Sequence, residues 1–390
     1  MKRLIIAFAI LFAVATDANE LARGISTFTS NLYQQCAKST SGNVIVSPFS
    51  VTNALALLSQ ATDGNTLQEI KRGLHFNGDK SAIASEFQAH YGLLKTGAGK
   101  ANLSIVNQIY VQQGHEINKN FGQVAVEKFR SGVESVNFAK NVETAAIINH
   151  FVEEKTNGRI KKLFTPEALS ADSRVVLVNA VHFKGDWETK FYESETYKGK
   201  FYTSQTDSVD VDFMNIDTYF KYASLPDLDA TALQMKYADS ELSMIFILPN
   251  SRTGLSALED KLKNYDLGSV TDKMQERKVE VSIPKFTVEF ETNLNDALKN
   301  LGMGEMFSDN ADLSGLLQSG ESLKVSDVVH KAFITVYEGG SEAAAATGLR
   351  IIPLSLELNM PKFLADHNFM YYIWDNKSKT TIFIGRLTNF

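Results

Sequence analysis

The feature that most constrains the fold is a nearly unbroken apolar stretch in the middle of the chain. Residues 175–183 are mostly apolar and rich in β-branched side chains, which is typical of a strand with both faces buried. Such a strand needs a packed layer on each side. Helical spacing dominates before it and further strands follow it, without regular β-α-β alternation. This order favours an α+β fold over a doubly wound sheet.

Periodicity predicts the individual elements. Helices are predicted over residues 21–37, 50–61, 67–74, 82–94, 121–129, 144–156, 255–263 and 294–301. Strands are predicted over residues 104–112, 175–183, 213–222, 232–237, 242–248, 278–290, 328–337, 355–360, 369–374 and 380–386. No repeat, low-complexity tract or linker separates these elements, so we expect one large domain.

Composition excludes several classes of protein. Of the 390 residues, 44% are apolar and 22% are charged, which allows a sizeable core. The formal net charge of −6 argues against general nucleic-acid binding, which favours a basic face. Cys36 is the only cysteine, so no internal disulfide can form. Its helical, apolar surroundings predict a small buried residue rather than a reactive thiol.

The first residues have the pattern of a secretory signal. Lys2 and Arg3 precede an apolar run over residues 4–14, and the small residues Ala15 and Ala18 follow. The run is shorter than the ~20 residues that span a bilayer. We therefore expect a signal peptide at residues 1–16, a mature domain at 17–390, an extracellular location and no membrane partner.

Two N-x-S motifs become glycosylation candidates on a secretory route. One begins at Asn102, and the other begins at Asn376 in a polar turn between two predicted strands. The turn predicts that Asn376 is the better exposed of the two.

Common enzyme signatures are missing from the sequence. Residues 339–343 lack the last glycine of a nucleophile elbow, and the glycine pairs near 97 and 302 lack the third glycine of a dinucleotide motif. One cysteine and scattered histidines offer no metal cluster. We expect no enzymatic activity, no cofactor and no metal.

The segment 338–355 combines features that ordinary helices and strands do not combine. Two glycines precede four alanines, and β-branched residues and Pro353 follow. With a period of two, one face is small, then apolar, and carries no charge. That face consists of Ser341, Ala343, Ala345, Thr347, Leu349 and Ile351. Glu342 and Arg350 lie on the other face, so the segment can enter a sheet with its small face inward.

Five ordered motifs resemble those of the serpin family of serine protease inhibitors. Residues 338–347 read Glu-Gly-Gly-Ser-Glu, four alanines and Thr, which resembles the reactive-loop hinge of inhibitory serpins. The other four motifs lie at residues 47–50, 179–187, 328–332 and 363–369. Asn368 stands where the family usually has proline. The alanine-rich hinge and the Asp366-His367 pair are most similar to serpins of tick saliva.

The resemblance implies a fold and a mechanism. The fold is that of serpins, with three β-sheets, eight to nine helices and an exposed reactive-centre loop at about residues 338–362. A target serine protease attacks the loop and forms a covalent complex, and the loop inserts into the main sheet as a new strand. The implied hinge residues are Glu338, Gly340, Ser341, Ala343, Ala344, Ala345, Ala346 and Thr347. The implied shutter and breach residues are Ser47, Ser50, Asn179, Trp187 and His330.

The scissile bond implied by family spacing lies sixteen positions beyond Glu338, between Leu354 and Ser355. Leucine suits the hydrophobic primary pocket of chymotrypsin-like enzymes such as chymotrypsin, cathepsin G or chymase. Glu357 is the alternative, and it would suit a granzyme-B-like protease. A non-inhibitory carrier is a further alternative, although the small hinge residues favour inhibition.

Other partners are less well supported by the sequence. Lys155, Arg159, Lys161 and Lys162 form a small basic cluster, which is a weak candidate for binding glycosaminoglycan. A solvated loop is the preferred interpretation of this cluster. We expect the protein to be a monomer.

Overall fold

The computed structural model describes residues 2–263, 265–341 and 360–390, with side chains from Leu21 onward. Nine α-helices lie within these ranges: α1 (Lys2–Ser39), α2 (Pro48–Gln60), α3 (Gly64–Leu74), α4 (Lys80–Ala98), α5 (Lys119–Phe129), α6 (Asn141–Lys155), α7 (Leu255–Lys261), α8 (Gly268–Lys273) and α9 (Asn295–Asn300). The same ranges contain fifteen β-strands: β1 (Val44–Val46), β2 (Asn102–Gln112), β3 (Gly132–Val136), β4 (Val175–Asp186), β5 (Tyr197–Tyr202), β6 (Ser208–Leu225), β7 (Ala230–Lys236), β8 (Leu242–Pro249), β9 (Gln275–Pro284), β10 (Phe286–Asn293), β11 (Val325–Val336), β12 (Gly340–Ser341), β13 (Lys362–Leu364), β14 (Phe369–Asp375) and β15 (Thr380–Leu387).

The described strands form two sheets. The six-stranded sheet has the order β10-β11-β4-β2-β3, and β12 pairs with the free part of β4. The nine-stranded sheet has the order β1-β15-β14-β8-β7-β6-β9-β13, with β5 on β6. Strand β6 pairs with β5 near its start and with β7 near its end. Two of the three expected sheets are therefore joined through β6, and the predicted α+β serpin fold is confirmed.

Strand β4 separates two hydrophobic cores, as its apolar sequence predicts. Its odd-numbered side chains belong to the main core beneath α2: Val175, Leu177, Val181 and Phe183. Its even-numbered side chains belong to a second core that includes residues of α6: Val176, Val178 and Ala180. The alternation follows from the strand period of two, which sends successive side chains to opposite faces of the sheet.

Most of the predicted elements are present, but the predicted strand at 278–290 is wrong. Two strands occupy this range, because the chain leaves the nine-stranded sheet at Pro284 and enters the six-stranded sheet at Phe286. Between them the backbone N–H of Lys285 donates to the carbonyl of Asp212 at 2.8 Å. The short strands β1, β3, β5 and β13 and the helix α8 were not predicted, because few residues carry their periodicity.

Cys36 is a core residue of α1, as predicted. It is 2% exposed, and burial raises the pKa of its thiol to about 12. The thiol is therefore protonated and unreactive at neutral pH.

The predictions for residues 1–16 and 355–360 remain untested. Helix α1 begins at Lys2, and the signal peptide at residues 1–16 stays a prediction. None of the helices in the described part of the chain is long and apolar enough to cross a membrane. The strand predicted at 355–360 lies almost entirely outside the described residues.

Candidate functional site

Strands β4 and β11 are parallel neighbours inside the six-stranded sheet. Their register pairs Asn179 with His330 and Val181 with Ala332. Antiparallel neighbours flank them, with β2 on one side and β10 on the other. If β4 and β11 separate, a single strand that is antiparallel to both can pair with both of them, because each then offers a free row of backbone groups.

The chain reverses direction directly after β11. The backbone N–H groups of Tyr337 and Gly340 each donate to the other residue's carbonyl, at 3.0 and 3.1 Å. Gly340 and Ser341 then pair antiparallel with Asp186 and Gly185 of β4. Gly340 has a φ of 150°, and a Cβ there would lie 2.1 Å from the Gly185 carbonyl oxygen. Only glycine fits this position.

Trp187 holds this turn in place. Its backbone N–H donates to the carbonyl of Gly339 at 2.9 Å, and its indole N–H donates to the carbonyl of Tyr337 at 3.0 Å. The Trp187 ring stacks on Tyr237 with a centroid separation of 4.6 Å. The hydroxyl groups of Tyr237 and Ser341 are hydrogen-bonded at 3.0 Å, and both residues are buried. Ser341 of the predicted hinge is therefore held within the protein interior.

Glu338 anchors the start of the hinge by its side chain. One carboxylate oxygen accepts a hydrogen bond from Thr196 Oγ1 at 2.8 Å, and the other lies 3.0 Å from Lys285 Nζ. Burial raises the pKa of Glu338, but hydrogen bonds from its own backbone N–H, from Thr196 and from Lys285 outweigh this effect. The net result is a pKa below the ordinary value. The carboxylate is therefore ionised at neutral pH.

A buried polar row crosses three strands beneath this turn. Asn107 of β2, Asn179 of β4 and His330 of β11 are cross-strand partners at one level of the sheet. Asn179 Nδ2 donates to Asn107 Oδ1 and, at 2.5 Å, to Ser50 Oγ. Asn179 Oδ1 is hydrogen-bonded to His330 Nδ1. These side chains are 0–4% exposed, so each polar group depends on the others for its hydrogen bonds.

The partners of His330 define its tautomer. Its Nε2 accepts a hydrogen bond from the backbone N–H of Ser47 at 3.2 Å, so Nδ1 carries the proton and donates to Asn179 Oδ1. Burial lowers the pKa of His330 to about 3. The ring is therefore neutral, and protonating Nε2 would break its bond to Ser47.

Helix α2 brings the two serines to this row. Ser47 is the N-cap, its Oγ accepts from the Ser50 N–H at 3.4 Å, and Pro48 occupies the first turn. Ser47 Oγ donates to the carbonyl of Ile382 at 2.7 Å. The structure thus brings together Ser47, Ser50, Asn179 and His330, while Trp187 lies at the end of β4 by the hinge.

Sequence reasoning missed four residues of the site: Asn107, Thr196, Tyr237 and Lys285. Asn107 shares its predicted strand face with Ile105, Ile109 and Val111, and one amide on an apolar face was a usable signal. Tyr237 and Lys285 gave no such signal, because only the tertiary structure brings them to the hinge.

Most of the predicted loop lies outside the described residues. The predicted site residues that lie outside the described ranges are Ala343, Ala344, Ala345, Ala346, Thr347, Leu354, Ser355 and Glu357. The two ends of the loop are described. Ser341 pairs with β4 in the six-stranded sheet, and Lys362 begins β13 at the edge of the nine-stranded sheet. The predicted loop therefore begins after a residue of the six-stranded sheet and ends at an edge strand of the nine-stranded sheet.

The basic cluster at the end of α6 is solvent-exposed at Lys155, Arg159, Lys161 and Lys162. Lys155 Nζ lies 3.0 Å from the Glu154 carboxylate and 5.7 Å from the centroid of the Phe151 ring. In the described ranges no group of three or more His, Cys, Asp and Glu side chains could hold a metal ion.

The prediction that Asn376 is the better exposed glycosylation candidate is wrong. Asn102 is exposed at the start of β2, whereas Asn376 is only partly exposed. The polar turn that contains Asn376 packs against β8. The backbone N–H of Asn376 donates a hydrogen bond to the carbonyl of Glu241 at 3.0 Å.

Comparison with known proteins identifies the family. The family model for Serpin (serine protease inhibitor) matches residues 23–390. Antichymotrypsin-2 of Bombyx mori is 36% identical over 364 residues, covering 93% of this chain and 96% of that protein. Ipis-1 of the tick Ixodes persulcatus is 34% identical over 373 residues, covering 94% and 98%.

A solved structure with a similar fold supports the family match. The crystal structure of human thyroxine-binding globulin complexed with thyroxine has a TM-score of 0.88 and 27% identity, covering 96% of this chain and 99% of that chain. The chain belongs to the serpin family. Its relatives include inhibitors of serine proteases, and a tick serpin is among them.

Proposed function

We propose that this protein is a secreted inhibitor of chymotrypsin-like serine proteases that acts as a suicide substrate. The observation that carries the proposal is the adjacency of β4 and β11, with β12 already paired antiparallel to β4 at one end. The protein is then in the form that precedes loop insertion, with Ser341 of the hinge already in position on β4.

The register of β12 predicts where each loop residue would pair after cleavage. Ser341 pairs with Gly185, so a strand that continues from it would bring Ala345 opposite Val181 and Thr347 opposite Asn179. Directly opposed residues share one face of a sheet. The small face of the loop would therefore enter the main core beside Val181 and Phe183. This is the face that the sequence keeps free of charge.

Insertion has a clear energetic basis. Each new ladder hydrogen bond contributes about 0.5–1.5 kcal/mol net, and the strand would form them on both of its edges. Burial of Leu349 and Ile351 would add ~1.5–3 kcal/mol each. The direct bond between Asn179 and His330 must break, and a Thr347 hydroxyl at the same level can replace it. The uncleaved form is then metastable and persists for kinetic reasons.

The expected target follows from the scissile bond. A protease serine would attack the carbonyl of Leu354, form an ester with it and release the amine of Ser355. Leucine suits a hydrophobic primary pocket, and the relative from Bombyx mori is called an antichymotrypsin. Cleavage at Glu357 by a granzyme-B-like protease is the alternative.

The decisive experiment is a denaturing gel of the purified protein after incubation with chymotrypsin. We expect a covalent band at the summed mass and a released fragment whose N-terminus is Ser355. Chymotrypsin with a chemically blocked active-site serine is the control and should give no band. Complete cleavage without a stable band, with chymotrypsin, trypsin and granzyme B alike, would contradict inhibition.

A carrier function is the second candidate, and a surface groove of 570 Å³ favours it. Arg23, Thr27, Tyr265 and Trp374 are among the residues that line it, between α1 and α8. Thyroxine-binding globulin, a structural neighbour, is complexed with thyroxine. A carrier would bind an aromatic anion stoichiometrically and form no covalent band with proteases.

Secretion, a monomeric state and weak glycosaminoglycan binding belong to the same proposal. The exposed cations at 155–162 support the last of these. N-terminal sequencing of protein secreted from eukaryotic cells tests signal cleavage after residue 16. Elution from heparin below physiological salt would reject a physiological role for the basic cluster.

A further inference from the structure

The two N-x-S motifs differ in the freedom of the amide nitrogen that a glycosyltransferase would modify. Asn102 is exposed where β2 begins, at the rim of a 480 Å³ groove between α4 and β2. Its Oδ1 accepts a hydrogen bond from Ser104 Oγ at 3.3 Å. Among the described residues, none accepts a hydrogen bond from Asn102 Nδ2. This nitrogen can therefore carry a bulky group without loss of a protein contact.

Asn376 has the opposite environment, in the turn between β14 and β15. Its Nδ2 donates to the carbonyl of Glu241 at 2.6 Å and to Ser243 Oγ at 2.9 Å. Its Oδ1 accepts from Gln234 Nε2 at 3.1 Å. Gln234 and Ser243 are buried, on β7 and β8. Both hydrogens of the Asn376 amide are thus used inside the fold.

The hydroxyl of the second motif is also used inside the fold. Ser378 Oγ donates to Asp375 Oδ2 at 2.6 Å, and Ser378 is 9% exposed. The backbone N–H groups of Lys377 and Ser378 donate to the same carboxylate, at 3.0 and 3.3 Å. The whole turn is therefore closed over Asp375, which is itself buried.

We propose that the secreted protein is N-glycosylated at Asn102 and is unmodified at Asn376. The inference rests on the proposed secretion. The transferase joins Nδ2 to the anomeric carbon of an oligosaccharide, breaks the bond from that carbon to a polyprenyl diphosphate and releases one Nδ2 proton. At Asn376 this removes one of two hydrogen bonds and puts a sugar against the buried Ser243.

Modification takes place before the chain has folded, so both motifs meet the transferase. The fold then selects among the products. A sugar on Asn376 prevents the β14–β15 turn from closing on β8, and such chains do not reach the native state. A sugar on Asn102 projects from the edge of the six-stranded sheet and leaves folding unaffected.

The test uses the full chain secreted from insect cells. Peptide N-glycosidase should shift the intact mass by one oligosaccharide and convert Asn102, but not Asn376, to aspartate in the peptide map. Ser104→Ala, which keeps Asn102 itself, should abolish the mass shift. Ser378→Ala, which removes the second motif, should leave the shift unchanged.

Either of two results would overturn the inference: an oligosaccharide on Asn376 in the folded, secreted protein, or an unmodified Asn102. Protease trapping measured on the same samples keeps this outcome separate from the inhibitor proposal. A secreted inhibitor without sugar at Asn102 rejects only the glycosylation proposal. A protein that traps no protease but carries sugar at Asn102 rejects only inhibition.

Discussion

Asn179 of β4 and His330 of β11 are hydrogen-bonded side by side at the boundary between two parallel strands. No other strand separates them, and both side chains are fully buried. The bond joins the two strands that must part if the hinge is to advance along β4. The stability of the uncleaved form therefore depends on a histidine that must stay neutral.

Acid should destabilise the native protein through this histidine. Its pKa is about 3 in the fold and about 6.5 in an unfolded chain, so the unfolded state binds more protons between these values. The part of the unfolding free energy that depends on neutral His330 is fully present above about pH 6.5. Between pH 6.5 and about pH 3 it falls by about 1.4 kcal/mol per pH unit. His90, with a pKa of about 4, adds a similar slope above pH 4.

Urea midpoints at pH 7, 6 and 5 measure this dependence. His330→Gln should reduce the slope of the unfolding free energy against pH by up to about 1.4 kcal/mol per pH unit, because His330 then no longer takes up a proton on unfolding. His150→Gln is the control, since His150 is exposed, and its slope should match the wild type. If the pH dependence of stability is unchanged in His330→Gln, His330 is not its source.

Gly340→Ala should weaken the pairing of the hinge with β4. The added Cβ would meet the Gly185 carbonyl oxygen at 2.1 Å, and the φ of 150° would be strained, at a cost of about 1–3 kcal/mol. We expect more cleaved inhibitor per trapped protease. Gly122→Ala, where a Cβ meets nothing within 4 Å, is the matched control and should trap like the wild type.

Removal of the Glu338–Lys285 ion pair should destabilise the uncleaved form. Lys285 is 40% exposed and Glu338 is 7% exposed, so we expect a coupling energy of about 1 kcal/mol. Glu338→Gln, Lys285→Gln and the double variant form the thermodynamic cycle, followed by urea unfolding. Additive effects of the two single changes would mean that the pair contributes nothing.

Ala345→Arg should convert the inhibitor into a substrate. In the register that continues from Ser341 and Gly185, residue 345 enters the main core beside Val181, where an unpaired charge costs several kcal/mol. Chymotrypsin should then cleave the loop fully without a covalent band. Ala345→Ser keeps the side chain small and should trap normally. Full trapping by Ala345→Arg would disprove insertion in this register.

Leu354→Arg should redirect inhibition from chymotrypsin to trypsin. The arginine would suit a primary pocket with an acidic residue and not a hydrophobic slot. We expect a change of at least 100-fold in the ratio of the two association rates, which corresponds to about 2.7 kcal/mol. Glu357→Gln should leave that ratio unchanged. If Glu357→Gln alone alters protease choice, the scissile bond lies there.

Much of the fold was predictable because its patterns are local. The period of two in residues 104–112 and the apolar run at 175–183 are confirmed as β2 and β4, and helical spacing is confirmed in α2 to α6. The break at Lys285 was missed, although Pro284 and a change of phase in the apolar alternation mark it: positions 279, 281 and 283 precede the break, and 286, 288 and 290 follow it as the chain passes from one sheet to the other. The partial burial of Asn376 was also hidden, because a turn looks polar whether or not it packs against a neighbouring strand.

The sequence by itself determined that this is a serpin-like α+β chain with a small, uncharged hinge, because side-chain size, charge and periodicity are written in the order of residues. Only the tertiary structure decided that β4 and β11 are adjacent, that Tyr237 meets Ser341, and that Asn107 completes the polar row with Asn179 and His330. The physical reason is that buried hydrogen bonds need partners in fixed positions, and those partners come from strands that are far apart in the chain.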